Sequence, residues 1–156
     1  MARKEATAKT LAEIIGAVAV VLGLVFVGFE LRSNTRAVEA STFQSLTDIS
    51  NDYLMDLAAN PDLAEITRLG YADLGSLNPA DSSRFFTVER AFWVRMQNVY
   101  SQLERGTLTE DDWRLYSRVI CDESGTFAGR RQLWPQQRLV LSDSFVSFVE
   151  DCWDAS

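Results

Sequence analysis

The chain has 156 residues, with 22 acidic and 15 basic side chains for a net charge of −7, two cysteines and no histidine. This length is enough for one modest core. The acidic balance argues against a nucleic-acid partner, because phosphate binding requires positive charge. Without histidine the chain lacks the most common general base and metal ligand, and it contains no phosphate-binding glycine loop, nucleophile elbow or zinc-protease motif. We therefore expect no enzyme, no cofactor and no metal site.

A long apolar run follows a basic N-terminal flank, residues 1–10. Residues 14–29 read IIGAVAVVLGLVFVGF, without a charged, amide or hydroxyl side chain. At about 1.5 Å per residue, a helix over residues 11–30 matches the roughly 30 Å of a bilayer core. A cleaved signal peptide has a shorter apolar region that ends in small residues, and a buried core helix is a third alternative. We interpret residues 11–30 as a transmembrane helix, so the first expected partner is the lipid bilayer.

Small residues lie along one face of this predicted helix. Ala12, Gly16, Ala19 and Gly23 follow one another at spacings of four, three and four. Such a face lets a second helix approach closely, and packing then drives association in lipid. The alternative is that Gly and Ala are simply frequent in membrane helices. We take these four residues as a candidate helix-packing face, for a protein partner or for self-association.

The two flanks of the membrane helix carry similar numbers of basic residues. Arg3, Lys4 and Lys9 precede it, and Arg32 and Arg36 follow it. Because the more basic flank tends to stay in the cytoplasm, three basic residues before the helix against two after it slightly favour an exported soluble domain.

The two cysteines, Cys121 and Cys152, match no zinc-ligand spacing. They would be able to pair in an exported domain and would act as small apolar residues in a cytoplasmic one. We favour the second interpretation, because neither cysteine is needed to explain another feature of the chain.

Residues 31–156 are predicted to form an α-helical soluble domain. No glycine or proline occurs between residues 31 and 60, and the apolar residues recur at helical spacing. The simplest prediction is one helix from about Leu11 to Ala59. A break near Ser33, Asn34 and Thr35 is the alternative, because those side chains compete for backbone groups.

Capping residues predict where the later helices begin and end. Asn60-Pro61 opens a short helix that ends near Gly70, and Asn78-Pro79 opens a long one that ends at Arg105 before Gly106. Thr109 and Ser142 are the predicted N-caps of two further helices, and Pro135 is the predicted stop of the helix between them.

The long helix carries an apolar stripe that should be buried. Phe92 and Trp93 are its predicted core residues, and the four tryptophans, at positions 93, 113, 134 and 153, are predicted core rather than a ligand pocket. Alternation of apolar and polar residues never persists. The predicted fold class is therefore all-α, a transmembrane helix that continues into a small helical bundle.

The residues that follow the membrane run resemble those of a known group. Glu30-Leu31-Arg32-Ser33-Asn34-Thr35-Arg36-Ala37 resembles the "QIRQNTRA"-like signature of a family of bacterial single-pass membrane proteins of this length. Gly106-Thr107-Leu108 with Trp113, and Ser142 to Phe148 after Trp134, are similar to later motifs of that family. This chain has Glu30 where glutamine is usual. The resemblance implies a bacterial inner-membrane protein and, since the family has no established activity, it implies no mechanism.

Several polar clusters are candidate sites. Glu30, Arg32, Asn34 and Thr35 form a candidate membrane-exit motif, in which Asn34 and Thr35 are expected to shape a turn from the lipid to the soluble domain. The carboxylates of residues 110–112 are interpreted as first-turn partners of the helix dipole rather than as a metal site. The arginines at positions 130, 131 and 138 are able to bind a carboxylate or phosphate, but in an acidic domain we expect them to pair with neighbouring carboxylates.

Two non-catalytic functions fit this architecture. The first is a membrane-anchored interaction or assembly protein, such as an accessory subunit or a homo-oligomer. The alternative is a membrane-tethered small-molecule sensor with an aromatic-lined pocket between its helices. A pocket of several hundred Å³ with convergent charged groups would favour the sensor, and an extended exposed apolar strip on residues 31–59 would favour assembly.

Overall fold

The computed structural model describes the backbone of residues 2–155, and the side chains of residues 15–155 except for those at positions 123 and 124. Over this range the chain is helical and has no strand, which confirms the predicted all-α class. The chain divides into two compact units, Met1–Ala40 and Ser41–Ser156. Helix α1, Ala2–Ala59, contributes to both units.

The first unit consists of the N-terminal part of helix α1. Among the described residues, α1 is the one helix long and apolar enough to cross a membrane. Its side chains from Ile15 to Val38 are exposed in the isolated chain. The helix passes through residues 33–35 without a break, and the Thr35 hydroxyl donates to the carbonyl oxygen of Leu31 at 3.0 Å. This bond satisfies the hydroxyl inside the helix, so the alternative of a break there is wrong.

The second unit is a small bundle around the C-terminal part of α1. Five further α-helices follow: α2, Pro61–Ala72; α3, Pro79–Glu104; α4, Glu110–Arg118; α5, Ala128–Gln137; and α6, Asp143–Asp154. A π-helical turn, Val119–Glu123, follows α4, and 3₁₀ turns occupy Leu74–Ser76, Ser124–Thr126 and Arg138–Val140.

Three of the four predicted N-caps form as expected. The side chains of Asn60, Asn78 and Thr109 accept hydrogen bonds from backbone N–H groups three residues later, at 3.1, 3.0 and 3.2 Å. Ser142 occupies the N-cap position of α6, but its side chain makes no capping bond. Its backbone N–H instead donates to the side chain of Gln97 at 2.5 Å.

Pro135 does not stop helix α5 as predicted. The helix continues to Gln137, with Pro135 inside its last turn. Proline there removes the backbone hydrogen bond to Arg131, but Leu133, Trp134 and Gln137 are all buried. Tertiary packing of this turn therefore outweighs the missing bond.

The aromatic core of the second unit matches the sequence prediction. Phe92 and Trp93 are 4% and 0% exposed, and all four tryptophans are buried. The Trp93 ring lies 4.7 Å from the ring of Trp134 and 5.7 Å from that of Trp153, centroid to centroid. These contacts join α3, α5 and α6 in one core.

The preference for unpaired cysteines is wrong. Cys121 of the π-helical turn and Cys152 of α6 form a disulfide bond, with their Cα atoms 5.4 Å apart. The indole N–H of Trp153 donates to the carbonyl oxygen of Ile120 at 3.0 Å, which holds α6 against the π-helical turn. This tertiary contact brings together cysteines that are 31 positions apart in sequence.

Candidate functional site

A cavity of about 430 Å³ lies within the second unit, between the C-terminal part of α1 and helices α2, α3, α4 and α5. Its walls are mainly aromatic and aliphatic, with a few polar groups. The aromatic lining residues are Tyr53, Tyr71, Phe92, Tyr116 and Phe127, the aliphatic ones Leu54, Leu57, Met96 and Val119, and the polar ones Ser50, Thr67, Arg95 and Arg130. An apolar pocket with few polar groups is typical of small-molecule sites.

A buried ion pair lies at the wall of this cavity. Arg130 of α5 donates from Nε and Nη2 to the two carboxylate oxygens of Glu89 of α3, at 2.6 and 2.8 Å. The Arg130 side chain is 3% exposed and that of Glu89 is 0% exposed. Burial alone would lower the pKa of Arg130, but its hydrogen bonds to Glu89 and the charge of that carboxylate outweigh burial and raise it. Arg130 therefore stays a cation whose charge is already matched.

Aromatic rings hold the Arg130 guanidinium in place. Its central carbon lies 3.9 Å from the centroid of the Phe92 ring, and Nη2 also donates to the Tyr71 hydroxyl at 2.9 Å. Burial raises the pKa of Tyr71 strongly, and the Arg130 cation opposes this only in part. Tyr71 is therefore a neutral phenol near pH 7 and a fixed acceptor for Arg130.

Two glycines bring Tyr71 and Arg130 together. Gly70 and Gly129 precede these residues in α2 and α5, and a Cβ on Gly129 would overlap the carbonyl oxygen of Gly70. The two helix backbones are therefore in direct contact at this crossing. Any larger side chain at Gly129 would separate the helices and pull Arg130 away from Tyr71.

Arg95 is the charged residue of the cavity that has no matching anion among the described residues. Its guanidinium stacks on the ring of Tyr53, with the central carbon 4.1 Å from the ring centroid. Its Nε and Nη1 atoms are buried, and no acceptor for them exists among the residues that the structure describes. Burial lowers the pKa of Arg95 from its ordinary value. The ordinary pKa of an arginine is so high that the Arg95 side chain is still a cation at neutral pH.

Tyr53 lines the same part of the cavity as Arg95. Its hydroxyl is buried. Burial raises the pKa of Tyr53, the Glu89 carboxylate acts in the same direction, and a hydrogen bond with Tyr71 opposes both. The cavity wall thus contains a neutral phenol and, in Arg95, a cation that makes no ion pair among the described residues.

An apolar groove of about 440 Å³ adjoins the cavity along the α1–α2 hairpin. The groove and the cavity share four lining residues, Leu54, Leu57, Thr67 and Tyr71. The groove also reaches Ala58, Ala64 and Arg68, and the Leu54 side chain is 57% exposed. This groove offers an apolar route between the cavity and the surface of the second unit.

The candidate membrane-exit motif does not form a turn. Glu30, Arg32, Asn34 and Thr35 are exposed on continuous helix α1, so the expectation that they shape a turn is wrong.

In the candidate helix-packing face, Gly16 and Gly23 have no other atom within 4 Å of the position of an added Cβ. Ala19 is also exposed, and the side chain of Ala12 lies outside the described residues.

The other charged clusters have structural contacts. Asp111, in the first turn of α4, pairs with Arg114, and no group of three potential metal ligands occurs among the described residues. Arg138 pairs with Glu150 at 2.8 Å and Arg130 with Glu89, which confirms pairing for two of the three arginines. Arg131 instead donates to the carbonyl oxygen of Gly125.

Sequence reasoning found Arg130 but missed two other residues that give the cavity its chemistry, Glu89 and Arg95. Glu89 lies between Phe85 and Phe92 on the apolar stripe of α3, and Arg95 follows Phe92 by three positions. A charged residue on a stripe predicted to be buried is a signal for a buried partner. That signal was present, although the partner on α5 was not identifiable without the fold.

Comparison of the chain with protein-family models, with curated proteins and with solved structures finds no match.

Proposed function

We propose that this chain is a membrane-anchored binding protein that takes a small molecule into the cavity of its helical domain. The observation that carries the proposal is Arg95, which lines an aromatic-walled cavity and makes no ion pair among the described residues. The volume of about 430 Å³ falls within the range of roughly 300–1,000 Å³ that is usual for ligand pockets. Burying polar groups without hydrogen bonds is costly, and a ligand with an acceptor would offset that cost.

Membrane anchoring is the second part of the proposal. The apolar composition of α1 supports a single transmembrane helix over residues 11–30, with the soluble domain beyond it. If this is right, the intact protein stays in the membrane pellet after carbonate washing. A soluble form that begins near residues 31–41 would show instead that the apolar run is a cleaved signal.

The sidedness proposed for the domain is extracytoplasmic, at a bacterial inner membrane. The disulfide between Cys121 and Cys152 supports this side, because disulfides persist in oxidising compartments and are rare in the cytosol. The slight excess of basic residues before the membrane helix agrees with it. The bacterial origin comes from the resemblance of residues 30–37 alone.

Ligand binding is tested with full-length protein in lipid nanodiscs. The probes are phenylacetate, 4-phenylbutyrate and octanoate, each with its primary amide, and the readout is the shift in melting temperature of the domain. Leu57→Trp places a large ring in the cavity wall, whereas Leu115→Trp is a matched control on an exposed leucine outside the lining.

At least one acid–amide pair should stabilise the wild type and the Leu115→Trp variant but not Leu57→Trp. No shift with any of the six probes, or equal shifts in Leu57→Trp, would refute the proposal. A melt without probe shows that each variant is folded.

Assembly through the membrane helix is a second candidate function. The open space beside Gly16 and Gly23 leaves room for close approach of another helix, either from a second copy or from another membrane protein. Assembly and ligand binding use different parts of the chain and are compatible.

A further inference from the structure

We infer that the ligand of the cavity is a monocarboxylate with an apolar body, and that its carboxylate binds Arg95. This inference rests on the proposed function and specifies the chemical class that the cavity accepts.

Among the described residues, the charges at the cavity leave one cation unmatched. Arg95 and Arg130 line the cavity and each carry a positive charge, and Glu89, which is paired with Arg130, carries a single negative charge. Tyr53 and Tyr71 add no charge near neutral pH, since burial favours the protonated phenols. One excess positive charge matches a monoanion better than it matches the dianion of a phosphate monoester.

Arg130 is unavailable to an incoming anion. Its Nε and Nη2 atoms are engaged by both oxygens of Glu89 and by the Tyr71 hydroxyl. An anion that took over these donors would leave the Glu89 carboxylate buried without a partner, which is strongly unfavourable. Arg95 makes no ion pair among the residues that the structure describes, so it is the cation that a ligand meets.

The site around Arg95 favours a planar anion. The Tyr53 ring covers one face of the guanidinium at 4.1 Å, so acceptors reach its N–H groups from the edges. A flat carboxylate suits the planar guanidinium.

The rest of the cavity selects for an apolar body. Phe92, Met96, Tyr116 and Val119 line the wall around Arg95. The adjoining groove extends this apolar lining past Leu54 and Leu57 toward Ala58 and Ala64. A phenyl ring fits the first region, and an alkyl chain is able to continue into the second, so both are included among the probes.

The test compares each acid with its own amide in nanodiscs by calorimetric titration, using wild type, Arg95→Met and Arg95→Lys. The amide keeps the shape of the acid and removes its charge. In the wild type the acid should bind at least about tenfold more tightly than its amide. That ratio of affinities corresponds to the free energy of one charge-assisted hydrogen bond. The ratio should fall to near one in Arg95→Met and be partly restored in Arg95→Lys.

A purely structural role for Arg95 predicts a different pattern. Its removal would then lower the melting temperature without probe and leave the acid-to-amide ratio unchanged. Under the ligand hypothesis, Arg95→Met melts no lower than the wild type, because the substitution removes a half-buried charge that has no anionic partner among the described residues.

The outcomes separate this inference from the proposed function. Equal binding of acid and amide, blocked in both cases by Leu57→Trp, would overturn the carboxylate while keeping the ligand-binding cavity. Tighter binding of phenyl phosphate than of phenylacetate would also overturn it, in favour of a dianion. Loss of all probe binding, acids and amides alike, would contradict the proposed function itself.

Discussion

Gly129 of α5 faces Gly70 of α2 so closely that a Cβ on Gly129 would overlap the Gly70 carbonyl oxygen. Gly70 is also close to α3, because a Cβ on Gly70 would lie 2.6 Å from a ring carbon of Phe85. Helices α2, α3 and α5 therefore meet at one point, where α2 and α5 each have room only for glycine. The residues that follow the two glycines, Tyr71 and Arg130, are hydrogen-bonded to each other at the cavity wall.

Substitution of Gly129 by alanine should destabilise the second unit. Since the added Cβ meets backbone rather than a flexible side chain, α2 and α5 must move apart, and overpacking of this kind costs about 1–3 kcal/mol or more. The measurement is the free energy of unfolding in urea. Gly28→Ala, where the added Cβ meets nothing within 4 Å, is the control. Equal stability of the two variants would show that the helices do not cross at Gly129.

The Glu89–Arg130 pair should behave as a buried ion pair. Glu89→Gln leaves the Arg130 charge without a counter-ion, so we expect a loss of about 3–5 kcal/mol in the free energy of unfolding. The double variant Glu89→Leu, Arg130→Met removes both charges and should lose less than the single variant.

An exposed pair of similar geometry provides the control. Arg68 and Glu65 approach to 2.7 Å, with side chains 65% and 55% exposed. Glu65→Gln should leave stability nearly unchanged, because water screens such pairs. If Glu89→Gln lowered the free energy of unfolding as little as Glu65→Gln, the Glu89–Arg130 pair would have to be accessible to water.

The disulfide should be present in protein taken from its own membrane. Without reductant, Cys121 and Cys152 should resist alkylation in denaturant, and after reduction both should react. The bond closes a loop over a sequence separation of 31, for which chain entropy predicts a stabilisation of about 4 kcal/mol relative to the double serine variant. Alkylation of both cysteines before reduction would contradict the bond and would remove the support for an extracytoplasmic domain.

The local features of this fold were predictable, because their causes lie within a few residues. The N-caps at Asn60, Asn78 and Thr109 each bind a backbone N–H three residues ahead, so the sequence around them contains the whole interaction. Burial of Phe92 and Trp93 followed from the helical spacing of the apolar residues on α3.

The cavity and the disulfide were not predictable, because both depend on how distant helices pack. Cys121 and Cys152 meet only when α6 lies against the π-helical turn, and Glu89 meets Arg130 only when α5 packs against α3. At Ser142 the chain is held by a bond from its backbone N–H to Gln97 of another helix, a contact that the local sequence does not reveal. In each case a tertiary contact overrides or adds to the local rule.

The stability of the domain should fall in alkaline solution, in part through Tyr53. Burial raises the pKa of the Tyr53 phenol in the folded state. As the pH rises, the folded state therefore keeps the Tyr53 proton at a pH where the unfolded state has already lost it. This contribution is fully present below the ordinary phenol pKa of about 10 and is lost as pH rises from there through the folded pKa.

The Tyr53→Phe variant tests this pH dependence. Because phenylalanine keeps the ring and removes only the titrating hydroxyl, the variant should change stability little near neutral pH and should reduce the loss of stability above about pH 10. Urea unfolding at a series of pH values measures both effects. An unchanged alkaline slope in Tyr53→Phe would place the titrating groups elsewhere, with Tyr71 the next candidate.

Association through the membrane helix should depend on Gly16 and Gly23. Replacing both with leucine fills the face they share while keeping the segment apolar, so insertion should survive and close packing should not. Gly28→Leu is the matched control, since that glycine is equally open but lies more than 100° around the helix from the shared face, at roughly 100° per residue. Crosslinking and native mass in mild detergent measure the association.

A wild type that is monomeric without a co-purifying protein would remove the assembly function and leave α1 as an anchor only. Equal association of the wild type and both variants would move the contact to the soluble helices, where Ile49 is 45% exposed whereas Phe43, Leu46 and Tyr53 already pack in the core of the second unit.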